Sequence, residues 1–198
     1  LIIGEEFIAN DNVALILGDN IFYGHAFSDI LLKAKKLRGA TIFGYPIKDP
    51  KRFGIANINK KTNKVTSIEE KPHKPKSNIA ITGLYFYDKN ACRFAKNVSP
   101  SSRNEIEITD VNKMYLKNNK LNLLMLNRGF TWLDTGTPNS LIEASEFVQI
   151  IEERQGYKIA CLEEIAWRQK WISTNQVRKI SRKFKSTYGL YLKKIIKI

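Results

Sequence analysis

Two carboxylates follow apolar runs at widely separated points of the chain. Asp19 comes after VALILG, and Asp134 comes after FTWL. In open α/β sheets, ligands bind beyond the carboxyl ends of the strands. Two carboxylates that meet there without a histidine or cysteine favour a hard cation such as Mg²⁺, which takes one or two carboxylates plus water and substrate phosphates. The alternative is that both acids are turn residues, because Gly-Asp and Asp-Thr-Gly are common in turns.

The segment SIEEKP contains a second candidate site. Glu69 and Glu70 alternate along a predicted strand, so one of them must point inward if that face is buried. An inward carboxylate beside Lys71 could accept sugar hydroxyls while the ammonium binds a phosphate. The alternative is an exposed strand end with a surface ion pair. Arg103, in a Ser/Pro loop before a predicted helix, could bind phosphate or be solvated.

Covalent catalysis has no obvious nucleophile in this sequence. His25 and His73 are the only histidines, and neither belongs to a recognisable Ser/His/Asp or Cys/His arrangement. Phosphoryl or nucleotidyl transfer needs no such group, because a substrate oxygen attacks and the protein supplies position and positive charge.

The amino-acid composition limits the classes of protein to which this chain can belong. The chain has 198 residues, 43% of them hydrophobic, which is enough for a folded core. The longest apolar runs, such as residues 13–17, fall far short of the roughly 18 that a membrane span needs. Cys92 and Cys161 are not spaced as metal ligands, and they suit buried free thiols in a reducing, cytoplasmic compartment.

The net charge of +14 permits several partners: nucleic acid, an anionic membrane or a phosphorylated substrate. The basic residues are spread along the chain, with some crowding after Arg178. This distribution favours a solvated surface, in which a few phosphate-binding residues of a cleft would be hidden.

The apolar pattern predicts an α/β fold. Continuous apolar strands such as VALIL are typical of sheets with helices on both faces, so we expect a mixed, mostly parallel central sheet. FGIANIN and KVTSIEEK predict an antiparallel pair. Ser173 and Gln176 have capping-box spacing at a helix start. We predict a core domain over residues 1–156 and a helical extension over residues 157–198.

Several long segments, taken in order, resemble the glucose-1-phosphate thymidylyltransferases. They are LGDNIFYGH, EEKPHKPKSNIAITGLYFYD, EIEITDVN, RGFTWLDTGTPNSLIEAS and IEERQGYKIACLEEIAWR. The resemblance runs from residue 1 nearly to the end of the chain. It implies a Rossmann-like nucleotidyltransferase fold and an enzyme that joins dTTP to glucose 1-phosphate. The products would be pyrophosphate and dTDP-glucose, a precursor for deoxysugars such as dTDP-rhamnose.

The resemblance also implies roles for individual residues. Asp19 and Asp134 match the family's magnesium ligands, and Lys71 and Arg103 match the catalytic pair on the sugar phosphate. The implied sugar-binding set further contains Gly54, Glu70, Ile81, Tyr85 and Trp132. A regulatory nucleotide site at a subunit interface is matched by Tyr23, Gly24, His25, Arg128, Glu164, Ile165 and Arg168. The family is usually a homotetramer, and the extension is expected in its oligomer or regulatory region.

One family motif is not found here. The family opens with a Gly-x-Gly-Thr-Arg-Leu loop that cradles the nucleotide triphosphate, and none of the eleven glycines lies in such a motif. The chain also begins with Leu rather than Met. We therefore expect the sugar- and metal-binding part of such an enzyme, inactive by itself. The alternatives are a sister nucleotidyltransferase with another base or sugar, and a basic nucleic-acid- or membrane-surface-binding module, which no nucleic-acid motif supports.

Overall fold

The structure is a computed structural model of the chain, and it describes residues 1–59, 61–101, 104 and 106–197. It divides into two compact units, Leu1–Thr135 and Gly136–Ile198. The functional boundary between residues 156 and 157 is a different division and stays a prediction. Among the described residues, no helix is long and apolar enough to cross a membrane.

The first unit contains most of the strands. Its elements, in chain order, are α1 (Glu5–Ile8), β1 (Val13–Ile16), β2 (Asn20–Gly24), α2 (Phe27–Lys36), β3 (Ala40–Pro46), a short 3-10 helix (Pro50–Arg52), β4 (Gly54–Ile58), β5 (Val65–Glu70), β6 (Ile79–Tyr87), α3 (Ala91–Lys96), α4 (Ile108–Lys117), β7 (Leu121–Met125) and β8 (Phe130–Asp134). The second unit contains α5 (Pro138–Gln155), α6 (Leu162–Arg168), α7 (Thr174–Lys183) and α8 (Thr187–Ile195).

Strand β6 is the centre of the main sheet. It pairs along one edge with β3, and along the other with β4 near its start and β1 near its end, all antiparallel. The predicted β4–β5 pair is confirmed as antiparallel. The β3–β7 pair is parallel.

The mixed α/β architecture is therefore confirmed, whereas the predicted mostly parallel order is visible only in part. All residues of β6 except Phe86 are buried. Burial on both faces makes a strand continuously apolar whatever the direction of its neighbours, so an apolar run does not determine strand direction.

Two strands, β2 and β8, form a separate antiparallel ribbon. Its register pairs Asn20 with Asp134 at one end and Gly24 with Phe130 at the other. A Cβ at Gly24 would lie 2.3 Å from the Phe130 ring, so the close strand contact there depends on glycine. Trp132 of this ribbon packs in a cluster with buried Ile55 and Ala80 of the main sheet.

Helix α4 is held against the main sheet by polar as well as apolar contacts. The Tyr87 hydroxyl donates to the Asn112 side-chain oxygen (2.7 Å), and the Tyr115 hydroxyl donates to the Asp88 carboxylate (2.7 Å). Tyr87 and Tyr115 also stack, with ring centroids 5.5 Å apart. These contacts hold α4 through Asn112 and Tyr115, while Thr109 in the first turn of the helix bonds to Glu70 of β5.

The second unit follows the capping patterns of its sequence. Helix α7 begins with the predicted box, in which the Ser173 hydroxyl accepts from the Gln176 N–H and the Gln176 side chain accepts from the Ser173 N–H. Gly156 ends α5 in the left-handed conformation (φ 70°).

The two cysteines are free and buried, as predicted.

Candidate active site

The structure brings Asp19 and Asp134 to the same end of the β2–β8 ribbon. Asp134 is the last residue of β8 and pairs with Asn20, the residue after Asp19. Beyond that pair, Thr135 donates its N–H (2.8 Å) and its hydroxyl (2.9 Å) to the Asp19 carbonyl oxygen. Two acids separated by 114 intervening residues in sequence are thus held on neighbouring strand ends.

Asn20 connects this end of the ribbon to the main sheet, and the sequence reasoning missed it. Its side-chain N–H donates to the Asp19 carboxylate (2.8 Å). Its side-chain oxygen accepts from the Gly83 N–H (2.9 Å) and from the Trp132 indole N–H (2.6 Å). The only sequence signal is its position directly after Asp19, because its other two partners are far away along the chain.

The donor chemistry of this end fits magnesium. Asp19 and Asp134 offer carboxylate oxygens, and a cation already lies beside one of them, because the Arg52 guanidinium is 3.5 Å from the Asp134 carboxylate. Within the described residues, no group of three or more His, Cys, Asp or Glu side chains could hold a metal. Magnesium matches a pair of carboxylates, because it uses one or two and completes its shell with water and substrate phosphates.

A second carboxylate, Glu70, lies at the end of β5 opposite Gly54 of β4. The Thr109 hydroxyl of α4 donates to Glu70 (2.5 Å). A Cβ at Gly54 would lie 3.1 Å from both the Glu70 carboxylate and the Thr109 hydroxyl, and 4.0 Å from Ile81. Gly54, Glu70 and Ile81 therefore surround one small space, and the sequence reasoning missed Thr109.

The neighbouring acid, Glu69, points elsewhere. Its carboxylate accepts a hydrogen bond from the Asn57 side chain (2.7 Å). Strand alternation puts Glu69 and Glu70 on opposite faces, and the Glu70 side carries the contacts with Thr109 and Gly54. Both glutamates are half-buried, and Glu70 shares its face with the buried Ile68, whereas a sugar-binding role for Glu70 stays a prediction.

Tyr85 of β6 is buried between the two acidic regions. Burial raises the pKa of the Tyr85 hydroxyl well above its usual range, and the negative charges of Glu70 and Asp19 raise it further. The ring stacks on Tyr87, with centroids 5.8 Å apart and planes 7° apart. The Tyr85 hydroxyl is therefore neutral, and its stacked ring offers a rigid surface close to both Glu70 and Asp19.

Trp132 forms another wall, supported by two aromatic rings. Its ring meets Phe53 edge-on at 5.0 Å and Tyr45 at 5.9 Å between centroids. The Phe53 carbonyl in turn accepts from the Lys71 N–H (3.1 Å). Lys71 has φ +41°, which is uncommon for a residue with a side chain. This backbone bond holds the exposed Lys71 directly after Glu70.

The other predicted residues of the first unit lie either outside the described part of the chain or away from Asp19. Arg103 lies outside the described residues, so its phosphate contact stays a prediction. In the first unit, Tyr23 and Gly24 are at the ribbon end away from Asp19, followed by His25, and Arg128 is in the turn before β8. At about 3.3–3.4 Å per residue, the two ribbon ends are roughly 13 Å apart.

The remaining predicted regulatory residues are on α6 of the second unit. The Glu164 carboxylate is buried and accepts from the Arg168 side chain (2.7 Å) and from the Tyr191 hydroxyl. The hydrogen bond from Arg168 to Glu164 raises the pKa of the Arg168 guanidinium. Burial, followed by the bond to Glu164, raises the pKa of Tyr191 to about 12. Ile165 is exposed on the same helix.

The sequence of this chain is similar to a known family and to individual relatives. A family model described as nucleotidyl transferase matches residues 1–150. A glucose-1-phosphate thymidylyltransferase from Neisseria meningitidis serogroup A is 53% identical over 99% of this chain and 68% of its own length. One from Xanthomonas campestris is 46% identical over 99% of this chain and 67% of its own length. This chain thus spans about two thirds of these relatives.

Solved structures agree with the architecture. A crystal structure described as a Bacillus anthracis glucose-1-phosphate thymidylyltransferase in complex with a sucrose has a TM-score of 0.64 and 39% identity. That match covers 73% of this chain and 57% of the other. A UDP-glucose pyrophosphorylase complexed with UDP-glucose has a TM-score of 0.63 at 21% identity, covering 72% of this chain and 58% of the other, which supports the fold alone.

Proposed function

The chain belongs to the nucleotidyl transferase family, among its glucose-1-phosphate thymidylyltransferases, and we propose that it supplies the sugar-phosphate and metal side of the reaction between dTTP and glucose 1-phosphate. In this reaction a phosphate oxygen of the sugar attacks the α-phosphorus of dTTP. The bond between the α- and β-phosphates breaks, pyrophosphate leaves and dTDP-glucose forms. Thus no protein nucleophile is required.

The observation that carries the proposal is the cradle formed by Gly54, Glu70 and Ile81. A side chain at position 54 would fill the space over the Glu70 carboxylate, so glycine leaves room for a small polar ligand. Glu70 would accept hydrogen bonds from sugar hydroxyls while Thr109 holds its carboxylate in place. Tyr85 and Trp132 would form the apolar walls against which the sugar ring packs.

Lys71 and Arg103 would bind the phosphate of the sugar. Lys71 follows Glu70 directly, so a sugar held by the carboxylate would present its phosphate to the ammonium. Each cation offsets negative charge on the attacking group and orients its oxygen. Charge-assisted contacts of this kind contribute about 1.5–3 kcal/mol each.

Asp19 and Asp134 would hold Mg²⁺. When bound, the cation neutralises phosphate charge and orients the reacting groups. The chain's own residues prepare its ligands: Thr135 and Asn20 fix Asp19, and Arg52 balances the charge of Asp134.

The assembly and cellular setting are proposed from the family resemblance. We propose a cytoplasmic homotetramer in which residues 157–198 belong to the oligomer or regulatory region. By the same resemblance, the residues that would belong to a regulatory nucleotide site at a subunit interface are Tyr23, Gly24, His25, Arg128, Glu164, Ile165 and Arg168. Two free cysteines are compatible with a reducing compartment.

Calorimetric titration of the 198-residue chain with glucose 1-phosphate tests the sugar site. Glu70→Gln should weaken binding and reduce discrimination against mannose 1-phosphate, because the acceptor carboxylate is lost. Glu69→Gln is the matched control, since Glu69 bonds to Asn57 on the other face. Equal affinities for the parent and Glu70→Gln would show that the sugar binds elsewhere.

A further inference from the structure

We propose that Asn20 is a positioning residue for the cation site, which orients the Asp19 carboxylate and ties it to the Trp132 wall of the sugar pocket. The proposal rests on the proposed role of Asp19 and Asp134 in holding Mg²⁺. Asn20 itself need not touch the cation, because its side-chain polar atoms already have partners within the protein.

The orientation of the Asn20 amide is determined by its partners. The Gly83 N–H and the Trp132 indole N–H both donate to the same atom, at 2.9 Å and 2.6 Å. An indole nitrogen and a backbone nitrogen can only donate, so that atom must be the amide oxygen. The amide N–H₂ group is consequently the one that faces Asp19, at 2.8 Å. A donor aimed at one carboxylate oxygen fixes the rotation of the carboxylate and leaves its other oxygen for a ligand.

The space around Asn20 is shaped for this contact. A Cβ at Gly83 would lie 2.6 Å from the Asn20 side-chain oxygen and 2.7 Å from its nitrogen. Real Cβ atoms do not approach other atoms so closely, so any residue but glycine at position 83 would displace the amide. The main sheet thus carries a gap at the position where the ribbon inserts Asn20.

The backbone of Asn20 also contributes to the second acid. Asn20 is the ladder partner of Asp134, and Trp132 lies two residues before Asp134 on the same strand face. One residue therefore aligns Asp134 through its backbone and Asp19 through its side chain, while it bonds to the indole that lines the sugar pocket. Outer partners that orient metal ligands typically change metal affinity by about 10–100-fold when they are removed.

A binding experiment with Mn²⁺ as the probe tests this role. The 198-residue chain is titrated with Mn²⁺ by electron paramagnetic resonance, which counts free ions and needs no turnover. Asn20→Ala should weaken Mn²⁺ binding by about 10-fold. Trp132→Phe should weaken it to a smaller degree, because the Asn20 amide loses one of the two donors that orient it.

Asn122→Ala is the matched control. Asn122 is also half-buried and its side chain donates to two backbone carbonyls, those of Arg38 (2.8 Å) and Ala40 (3.0 Å), at the other side of the main sheet. It should lower the thermal unfolding temperature without a change in Mn²⁺ affinity. Equal Mn²⁺ affinities for Asn20→Ala and Asn122→Ala would overturn the positioning role and leave Asn20 as a structural residue.

Asp134→Asn separates this inference from the proposed function. If Asp134→Asn weakens Mn²⁺ binding and Asn20→Ala does not, the cation site stands and the role of Asn20 is wrong. If Asp134→Asn leaves Mn²⁺ binding unchanged, the cation site itself is wrongly assigned, and the role of Asn20 fails with it. A shift of the Trp132 indole N–H resonance in Asn20→Ala, compared with Asn122→Ala, gives a reading of the hydrogen bond that is independent of the ion.

Discussion

Thr135 donates two hydrogen bonds to a single atom, the carbonyl oxygen of Asp19. The backbone N–H is 2.8 Å away and the hydroxyl is 2.9 Å away. These bonds continue the β2–β8 ribbon one step past its last ladder pair, Asn20 with Asp134. Together with the Asn20 contacts to Gly83 and Trp132, they hold this end of the ribbon in place.

Thr135→Val keeps the N–H bond and removes the hydroxyl bond. We expect a loss of about 1 kcal/mol in the free energy of unfolding, with weaker Mn²⁺ binding because Asp19 is less well held. Thr66→Val is the control, since the Thr66 hydroxyl donates to the Asn57 carbonyl (3.1 Å) in the β4–β5 pair. Chemical unfolding measures the stability of each variant, and Mn²⁺ titration measures its affinity for the ion. Loss of Mn²⁺ affinity in both variants would contradict the local role of Thr135.

Asp19→Asn and Asp134→Asn should each lower turnover by on the order of 100-fold or more, because each removes charge from the cation site. Turnover is measured as pyrophosphate release in a chimera that joins this chain to the unmatched part of the Neisseria meningitidis relative. Binding of glucose 1-phosphate should change less. Asp110→Asn is the control, because Asp110 pairs with Lys113 (2.8 Å) on α4. Near-parent rates at saturating Mg²⁺ would remove both acids from the mechanism.

Arg52→Gln should increase the affinity for Mn²⁺. Arg52 places a positive charge 3.5 Å from the Asp134 carboxylate, and its side chain is 48% exposed. An exposed ion pair contributes up to about 1 kcal/mol, so its removal should improve ion binding by no more than about fivefold. Lys51→Gln is the matched control. Lys51 is an exposed cation of the same 3-10 helix, and among the described residues it has no ion pair with either acid of the cation site. An equal increase in both variants would indicate a general charge effect rather than competition for Asp134.

Gly39 and Gly129 offer a matched comparison of steric and conformational effects. Both have positive φ, +85° and +92°, but a Cβ at Gly39 would lie 2.2 Å from the Lys120 carbonyl oxygen, whereas one at Gly129 would meet nothing within 4 Å. Gly129→Ala should cost about 1–2 kcal/mol of stability from backbone strain alone. Gly39→Ala should cost at least twice as much in urea unfolding. Similar losses would show that the backbone near Lys120 gives way easily.

The buried tyrosines of the first unit predict a loss of stability at high pH. Burial is the largest cause of the raised pKa of Tyr85, Tyr87 and Tyr115, and the Asp88 carboxylate adds to it for Tyr115. In the unfolded chain these hydroxyls lose their protons near pH 10. The folded state keeps them, so the contribution to stability is full below about pH 10 and is lost as pH rises from there toward the folded pKa values.

Urea unfolding between about pH 8 and pH 11, with tyrosine ionisation followed by ultraviolet absorbance, measures this effect. Tyr115→Phe should lessen the alkaline loss, because it removes one of the titrating groups. The result that would contradict the prediction is full tyrosine ionisation near pH 10 in a chain that is still folded.

Local sequence patterns determined several parts of this protein. The alternation of FGIANIN and KVTSIEEK gave the antiparallel β4–β5 pair, because side chains on a pleated strand must alternate between faces. The spacing of Ser173 and Gln176 gave the start of α7, because a capping box is a contact within one turn. The position of Asp19 and Asp134 after apolar runs indicated two strand ends, and the long motifs identified the family.

Only the tertiary structure decided which strands meet and in which direction. The apolar run of β6 reflects burial on both faces, and burial is the same for parallel and antiparallel neighbours, so the antiparallel partners of β6 could not be predicted from it. The Asn20 contacts with Gly83 and Trp132 span 63 and 112 residues. Such contacts depend on the register of two sheets and on a gap at a glycine, and no pattern within either segment contains that information. The candidate acids could therefore be named from the sequence, whereas the residues that hold them in position became visible only in the folded chain.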